Sequence, residues 1–220
     1  MEVVYGGCFN PPTIAHQEII SYLANHYDKV ILIPTGNDYN KVGLIDYKNR
    51  VEMLNIIIKP YNNVVISTIE FEKKFDGTFQ SLRELNHPVF ACGDDCIDQI
   101  STWKEPKILL SENRFLVFSR NHSIDELKKI VNEDELLKSY SDHFEFVNLQ
   151  LSNISSTNFR NLKSYEQLNE EVAEYIKKNN LYKSGGSDYH GKNKPGVEIG
   201  TGEGNLNVPD DIITWAKIFV

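Results

Sequence analysis

Short apolar runs alternate with longer amphipathic stretches along the chain. Val3–Tyr5, Val30–Ile33, Val64–Ser67, Val89–Ala91, Phe115–Phe118 and Phe144–Val147 are brief, rich in β-branched and aromatic residues, and bounded by turn formers; each predicts a strand. Helical spacing of apolar residues begins near Ile14, Tyr47, Thr78, Glu105 and Ser123, with further helices expected near Ser156 and Glu166. Ser123–Tyr140 reads as one charged amphipathic helix. Strand and helix taking turns imply βαβ units, hence an α/β fold: a doubly wound parallel sheet with helices on both faces. Ligands in such sheets bind beyond the carboxyl ends of the strands, so the loop after the first strand is the first place to look for chemistry.

That loop is Gly6-Gly7-Cys8-Phe9-Asn10-Pro11-Pro12-Thr13-Ile14-Ala15-His16. The glycines let backbone approach a ligand without a side chain between. The helix that follows offers unpaired N–H groups and the positive end of a dipole, which suit a phosphate. His16 falls in its first turn, where an imidazole can donate to a phosphate oxygen. No Gly-Lys-Ser/Thr follows, so this is not a Walker loop, and no Gly-x-Gly-x-x-Gly is present.

Composition narrows the classes. With 220 residues the chain is long enough for one substantial core with an appendage, and 40% hydrophobic content is that of a water-soluble globular protein. No apolar run approaches the roughly 20 residues of a membrane helix, and the first residues are strand-like rather than a signal peptide. Cys8, Cys92 and Cys96 read as free thiols in a reducing, cytoplasmic setting; Cys92-x-x-x-Cys96 as a metal pair lacks partner ligands. The net charge of −8 disfavours extended nucleic acid as a partner but leaves a mononucleotide open.

The order Gly-Gly-x-Phe-x-Pro-x-Thr-x-x-His resembles the signature of the nucleotidyltransferase superfamily with an (H/T)xGH motif. Its second signature, ISSTxxR, is matched by Ile154-Ser155-Ser156-Thr157-Asn158-Phe159-Arg160. Within the superfamily the chain resembles bacterial nicotinate-nucleotide adenylyltransferases. Gly77-Thr78-Phe79-Gln80-Ser81-Leu82 is similar to their Y-T-x-x-T-L element, Gly93-x-Asp95 and its neighbour Asp94 to the end of their fourth strand, and Thr102-Trp103 to their Thr-Trp. Val172 to Tyr182 matches their usual ending, V-x-x-Y-I-x-x-x-x-L-Y. The resemblance covers residues 1–182.

It implies a Rossmann-like fold and transfer of AMP from ATP to nicotinate mononucleotide, giving deamido-NAD and pyrophosphate. The implied catalytic residues are His16, Thr13 and Arg160. Gly6, Gly7, Cys8, Phe9, Lys41, Gly93, Asp94, Ser155, Ser156 and Thr157 would hold ATP and its phosphates. Thr78, Ser81 and Trp103 would seat the nicotinate nucleotide, Trp103 by stacking on the flat ring. Mg²⁺ would arrive with ATP, held by phosphates and water rather than by dedicated side chains. The implied partners are these small molecules, with no nucleic acid polymer or membrane, and a homo-oligomer is possible. For several residues a plainer reading stands beside the implied one. Lys41 is equally a solvated loop lysine, Thr78 a helix cap, Trp103 core packing, Asp94 one of two surface acids, and the serines an N-cap. Arg50 reads as an exposed helix arginine rather than one that orients carboxylates.

The chain departs from the pattern in three places. Cys8 and Asn10 stand for the usual Ser and Asp, and Ala15 stands for the Gly of the motif. Superfamily members with other substrates share the first motif, which leaves room for a different acceptor (nicotinamide mononucleotide or phosphopantetheine) or for CTP, and Ala15 leaves room for a catalytically weak nucleotide-binding protein. Beyond Tyr182 the composition shifts, and Gly186-Ser187-Asp188-Tyr189-His190-Gly191 resembles the carboxyl end of PHP-type phosphoesterases, in which the Asp and His bind metal. No H-x-H accompanies Asp188 and His190, so residues 183–220 are expected to be a C-terminal extension without a complete metal site. A phosphoesterase that depends on His190 is the third class of function, beside transferase and binding protein.

Overall fold

The structure, a computed structural model, describes residues 1–36, 44–73, 75–149, 154, 156–162 and 164–181, with backbone only at 158, 161 and 162. Lys41, Ser155, Asp188 and His190 lie outside the described residues, as does the rest of 182–220. Residues Met1–Tyr175 form one compact unit, and Ile176–Val220 are assigned to a second. Of the second only its first six residues are described, where the Leu181 N–H closes the end of a helix on the Ile176 carbonyl.

The first unit is built on a six-stranded sheet ordered β3-β2-β1-β4-β5-β6, with every neighbouring pair parallel. The strands are β1 (Glu2–Gly7), β2 (Lys29–Pro34), β3 (Val64–Ile66), β4 (Val89–Gly93), β5 (Phe115–Phe118) and β6 (Phe144–Val147). The helices are α1 (Ile14–His26), α2 (Tyr47–Ile58), α3 (Ile69–Glu72), α4 (Thr78–Glu84), α5 (Pro106–Glu112), α6 (Ile124–Glu133), α7 (Ser156–Leu162) and α8 (Glu170–Lys178). All six expected strands are present, two of them residue for residue. β2 and β5 are buried along nearly their whole length because helices cover both faces of the sheet. Exposed positions alternate into the outer strands β3 and β6. The core on one face joins Val4, Ile31, Phe90 and Val117 of the sheet to Leu82 of α4 and Leu109 of α5.

Four local expectations are corrected. Ser123–Tyr140 is not one helix: α6 ends at Glu133, and Asp134 leaves helical geometry to accept the N–H groups of Leu136 and Leu137, starting a separate turn of 3₁₀ helix at Leu137. The helix expected near Glu166 is a short 3₁₀ turn, with α8 beginning at Glu170. Thr78 does not cap α4; Gly77 does, at φ 108°, a conformation that side chains other than glycine rarely adopt. Arg50 is fully buried.

The sheet also sets where the site lies. The chain runs outward from β1 to β2 and β3, then returns to β4 and runs the other way, so the strand order reverses between β1 and β4. A crevice opens at such a reversal. Register places Gly7 beside Pro34 and Gly93 beside Phe118, so both central strands reach that crevice as glycine.

Candidate active site

A cavity of about 620 Å³ occupies the crevice. Gly6, Gly7, Cys8 and Phe9 line it from the first loop, and Ala15 and His16 from α1. Thr78, Ser81 and Trp103 form part of another wall, with Ser156, Thr157 and Arg160 on α7 and Gly93 after β4. The structure therefore gathers thirteen of the fourteen described candidates at the lining or, for Thr13, immediately behind it. The odd one is Asp94, considered below.

The first loop is held from outside. Arg50 of α2 donates to the carbonyls of Cys8 (3.0 Å), Thr35 (2.7 Å) and Ile45 (3.0 Å). On the other flank, Arg160 donates to the Asn10 carbonyl at 2.7 Å and the Ser156 hydroxyl to the Pro11 carbonyl at 2.8 Å. The buried Asn10 side chain accepts the Ile45 N–H at 3.3 Å. The acceptor oxygens of Cys8, Asn10 and Pro11 are thus engaged by donors from α2 and α7. This matters for an anion site, because an unpaired carbonyl facing a phosphate would repel it. Phe9, at φ 45°, folds its ring over Gly7, where an added Cβ would lie 3.3 Å from the ring. A side chain at that position would have to push the Phe9 ring aside by a few tenths of an ångström.

Thr13 precedes α1, and its backbone N–H donates to Nδ1 of His16 at 3.0 Å; the Thr13 hydroxyl lies 2.8 Å from the same nitrogen. A backbone N–H can only donate, so Nδ1 is the acceptor and the ring proton is assigned to Nε2. Burial pushes the His16 pKa down to about 4, and the Arg120 guanidinium adds to the shift. His16 at neutral pH is therefore an uncharged imidazole with one N–H donor, Nε2, on the side away from Thr13. Its ring packs against Phe9 at 5.3 Å, which limits its rotation.

Thr13 itself is buried and does not line the cavity; it touches the lining through His16. Thr157 accepts from Arg160 at 3.0 Å, so the side chains of the second motif brace each other as well as the loop. Trp103 packs edge-on against Phe90 and presents an aromatic wall. Asp94 is fully buried and absent from the lining. Burial alone would raise its pKa, but the backbone N–H groups of Arg120, Asn121 and His122 outweigh this and hold it below the usual carboxylate value. Its carboxylate is the anchor of the 120–122 loop.

Asp95, the neighbour of Asp94 in the same motif, lines the cavity; the residue reading missed Glu70, Gln99 and Lys104 and gave Arg120 no role, although all four line it too. Arg120 follows a strand end, a place where charge often faces a ligand, and that signal was available. Glu70 gave none, since the short helix α3 that presents it has no pattern of its own. Lys104 is paired with Asp76. Among the described residues no three His, Cys, Asp or Glu side chains are grouped to hold a metal, and no helix is long and apolar enough to cross a membrane.

Residues 4–162 match the cytidylyltransferase-like family model. A protein of Acholeplasma laidlawii described as a probable nicotinate-nucleotide adenylyltransferase is 36% identical over 191 residues, covering 83% of this chain and 97% of its own. One of Fusobacterium nucleatum with the same description is 29% identical over 187 residues, covering 80% and 94%. Among solved structures, the nicotinic acid mononucleotide adenylyltransferase of Plasmodium falciparum complexed with NaAD superposes with a TM-score of 0.68 at 25% identity, over 82% of this chain and 96% of that one.

Proposed function

The chain belongs to the cytidylyltransferase-like family of nucleotidyltransferases, and from that membership we propose that it transfers AMP from ATP to nicotinate mononucleotide, releasing pyrophosphate. The observation that carries the chemistry is the Thr13–His16 bond, which fixes a neutral imidazole with its proton on Nε2 beside a loop whose carbonyls are withdrawn. The 36% identical relative supports the acceptor.

A phosphate oxygen of the mononucleotide attacks the α-phosphorus of ATP in line; the new P–O bond forms as the bond to the β-phosphate oxygen breaks, and that electron pair leaves with pyrophosphate. The attacking phosphate is already ionised, so no protein nucleophile or base is required. Catalysis then rests on positioning and on stabilising charge. His16 Nε2–H donates to an α-phosphate oxygen as charge builds there. Arg160 and Arg120, both on the lining, offset negative charge on the triphosphate, and Ser156 and Arg160 keep the first loop in place while it binds. Trp103 gives the pyridine ring a flat surface, with Thr78 and Ser81 beside it. Mg²⁺ carried by the phosphates would neutralise leaving-group charge. Lys41 and Ser155 are proposed as further phosphate contacts, and residues 183–220 as an extension outside the transferase domain.

The test is pyrophosphate release from Mg·ATP with nicotinate mononucleotide, nicotinamide mononucleotide and phosphopantetheine in parallel, repeated with Mg·CTP. Turnover with ATP and nicotinate mononucleotide is the expected result. Silence with every acceptor in protein that still binds ATP would overturn the reading in favour of a binding protein.

A further inference from the structure

Glu70 is, with Asp95, one of two acids at the cavity wall that the mechanism above does not use. It sits on α3, lines the cavity together with Ser81, Thr78 and Trp103, and its Oε1 accepts the Ser81 hydroxyl at 3.2 Å. Its backbone is locked in place: an added Cβ on Gly36 would come within 2.1 Å of the Glu70 carbonyl oxygen, so this segment and the end of β2 are in direct backbone contact. Among the described residues no hydrogen-bond partner engages Oε2. The molecule thus holds one carboxyl oxygen occupied and leaves the other on a wall assigned to the acceptor's ring.

We propose that Glu70 discriminates between acceptors by the substituent on the pyridine ring: protonated, its Oε2–H donates to a ring carboxylate; ionised, its Oε2 accepts from a ring carboxamide and repels a carboxylate. This rests on the assignment of the Thr78–Ser81–Trp103 wall to the acceptor.

Both forms of Glu70 are present near neutral pH. Burial raises its pKa to about 7, and the Ser81 hydroxyl, which favours the ionised form, partly opposes the shift. The other titratable groups nearby are Tyr47 of α2 and Glu72 of α3. The Tyr47 pKa is pushed up to about 12, mainly by burial, with the Arg50 guanidinium opposing and Glu72 and Glu70 adding, so Tyr47 stays neutral throughout the range concerned. Lys104 on the same lining is engaged with Asp76. Ser81 on α4 does not titrate. Glu70 is therefore the group on this wall whose charge changes between pH 6 and 8.

The experiment is the ratio of kcat/KM for nicotinate mononucleotide to that for nicotinamide mononucleotide, measured from pH 6 to 8.5. The two acceptors share their phosphate and ribose, so ionisation of the phosphate and of enzyme groups that act equally on both cancels in the ratio. In the wild type the ratio falls by about tenfold or more across this range, as expected when one protonation state serves one acceptor. In Glu70→Gln, which keeps shape and cannot ionise, it is flat. In Ser81→Ala the midpoint of the fall moves to higher pH, because the donor that favours the ionised form is gone; a purely structural role for Glu70 would not move it. If nicotinamide mononucleotide turns over too slowly, the wild-type to Glu70→Gln ratio with nicotinate mononucleotide carries the same signature. A pH-independent ratio in the wild type, or the same fall in Glu70→Gln, overturns the inference while leaving the reaction intact. Turnover with neither acceptor overturns the functional reading, and the inference with it.

Discussion

The backbone N–H of Thr13 donates to Nδ1 of His16 at 3.0 Å, and this one bond leaves the ring proton on Nε2. A histidine at the third position of α1 takes the role that Glu or Gln plays in a capping box. The same contact that starts the helix therefore orients the donor. His16→Ala should lower kcat by about 10²-fold or more with little change in KM for ATP, as for other donors that act mainly in the transition state. Thr13→Val keeps the backbone N–H and should cost far less. Steady-state pyrophosphate release on the two variants checks both, and equal losses would show that the hydroxyl rather than the backbone sets the tautomer.

The depressed pKa of His16 has a stability consequence of definite sign. Its ordinary value is 6.5 and its folded value about 4, so the folded state resists protonation that the unfolded state accepts. The stability gained from a neutral His16 is complete above about pH 6.5 and is lost as pH falls towards 4. Urea midpoints of wild type and His16→Gln at pH 7.5 and 4.5 test this: the wild type should lose ground to the variant on acidification. A constant difference would contradict it.

Arg50 is the buried brace of both loops at the crevice. Replacing it with Met removes donors to three backbone carbonyls and leaves those acceptors without their charged partner. The expected loss is about 3 kcal/mol or more of folding stability, measured by chemical denaturation. KM for ATP should rise in whatever fraction stays folded, because the Cys8 carbonyl is no longer held. Arg50→Lys should recover little, since one ammonium does not span the carbonyls of Cys8, Thr35 and Ile45.

Gly36 is required by close approach rather than by its backbone angle. Its added Cβ would meet a backbone oxygen at 2.1 Å, which no side-chain adjustment relieves. Gly36→Ala should displace α3 and with it Glu70. The expected outcome is a lower melting temperature and a raised KM for the mononucleotide with a smaller change for ATP. A rise confined to ATP would place α3 at the wrong end of the cavity.

Residues 183–220 are proposed to lie outside the transferase domain. A chain ending at Tyr182 should retain nucleotidyl transfer within about twofold, comparable to the effect of a surface change away from the site. Loss of activity in a truncated protein whose circular dichroism is unchanged would give the extension a role in catalysis.

The sequence by itself determined the sheet and the first-loop end of the cavity. Strand length and β-branched content locate the six strands because each is a local pattern, and the first-loop motif announces itself because its glycines, prolines and histidine are adjacent in the chain. Pairing that loop with Ser156 and Arg160 was legible from the family resemblance, although the hydrogen bonds that join them span about 150 residues. What only the tertiary structure decided depends on what a side chain meets far away. Arg50 looks solvated on its helix, yet it is buried because three carbonyls from separate loops converge on it. Asp94 looks like a ligand acid, yet it is spent on the N–H groups of the 120–122 loop. Glu70 looks like one acid among many and becomes a titrating group only because the fold withdraws it from water and sets Ser81 against it. Local pattern dictates where the backbone goes; charge state and exposure are properties of the packed whole, and the chemistry of this cavity depends on them.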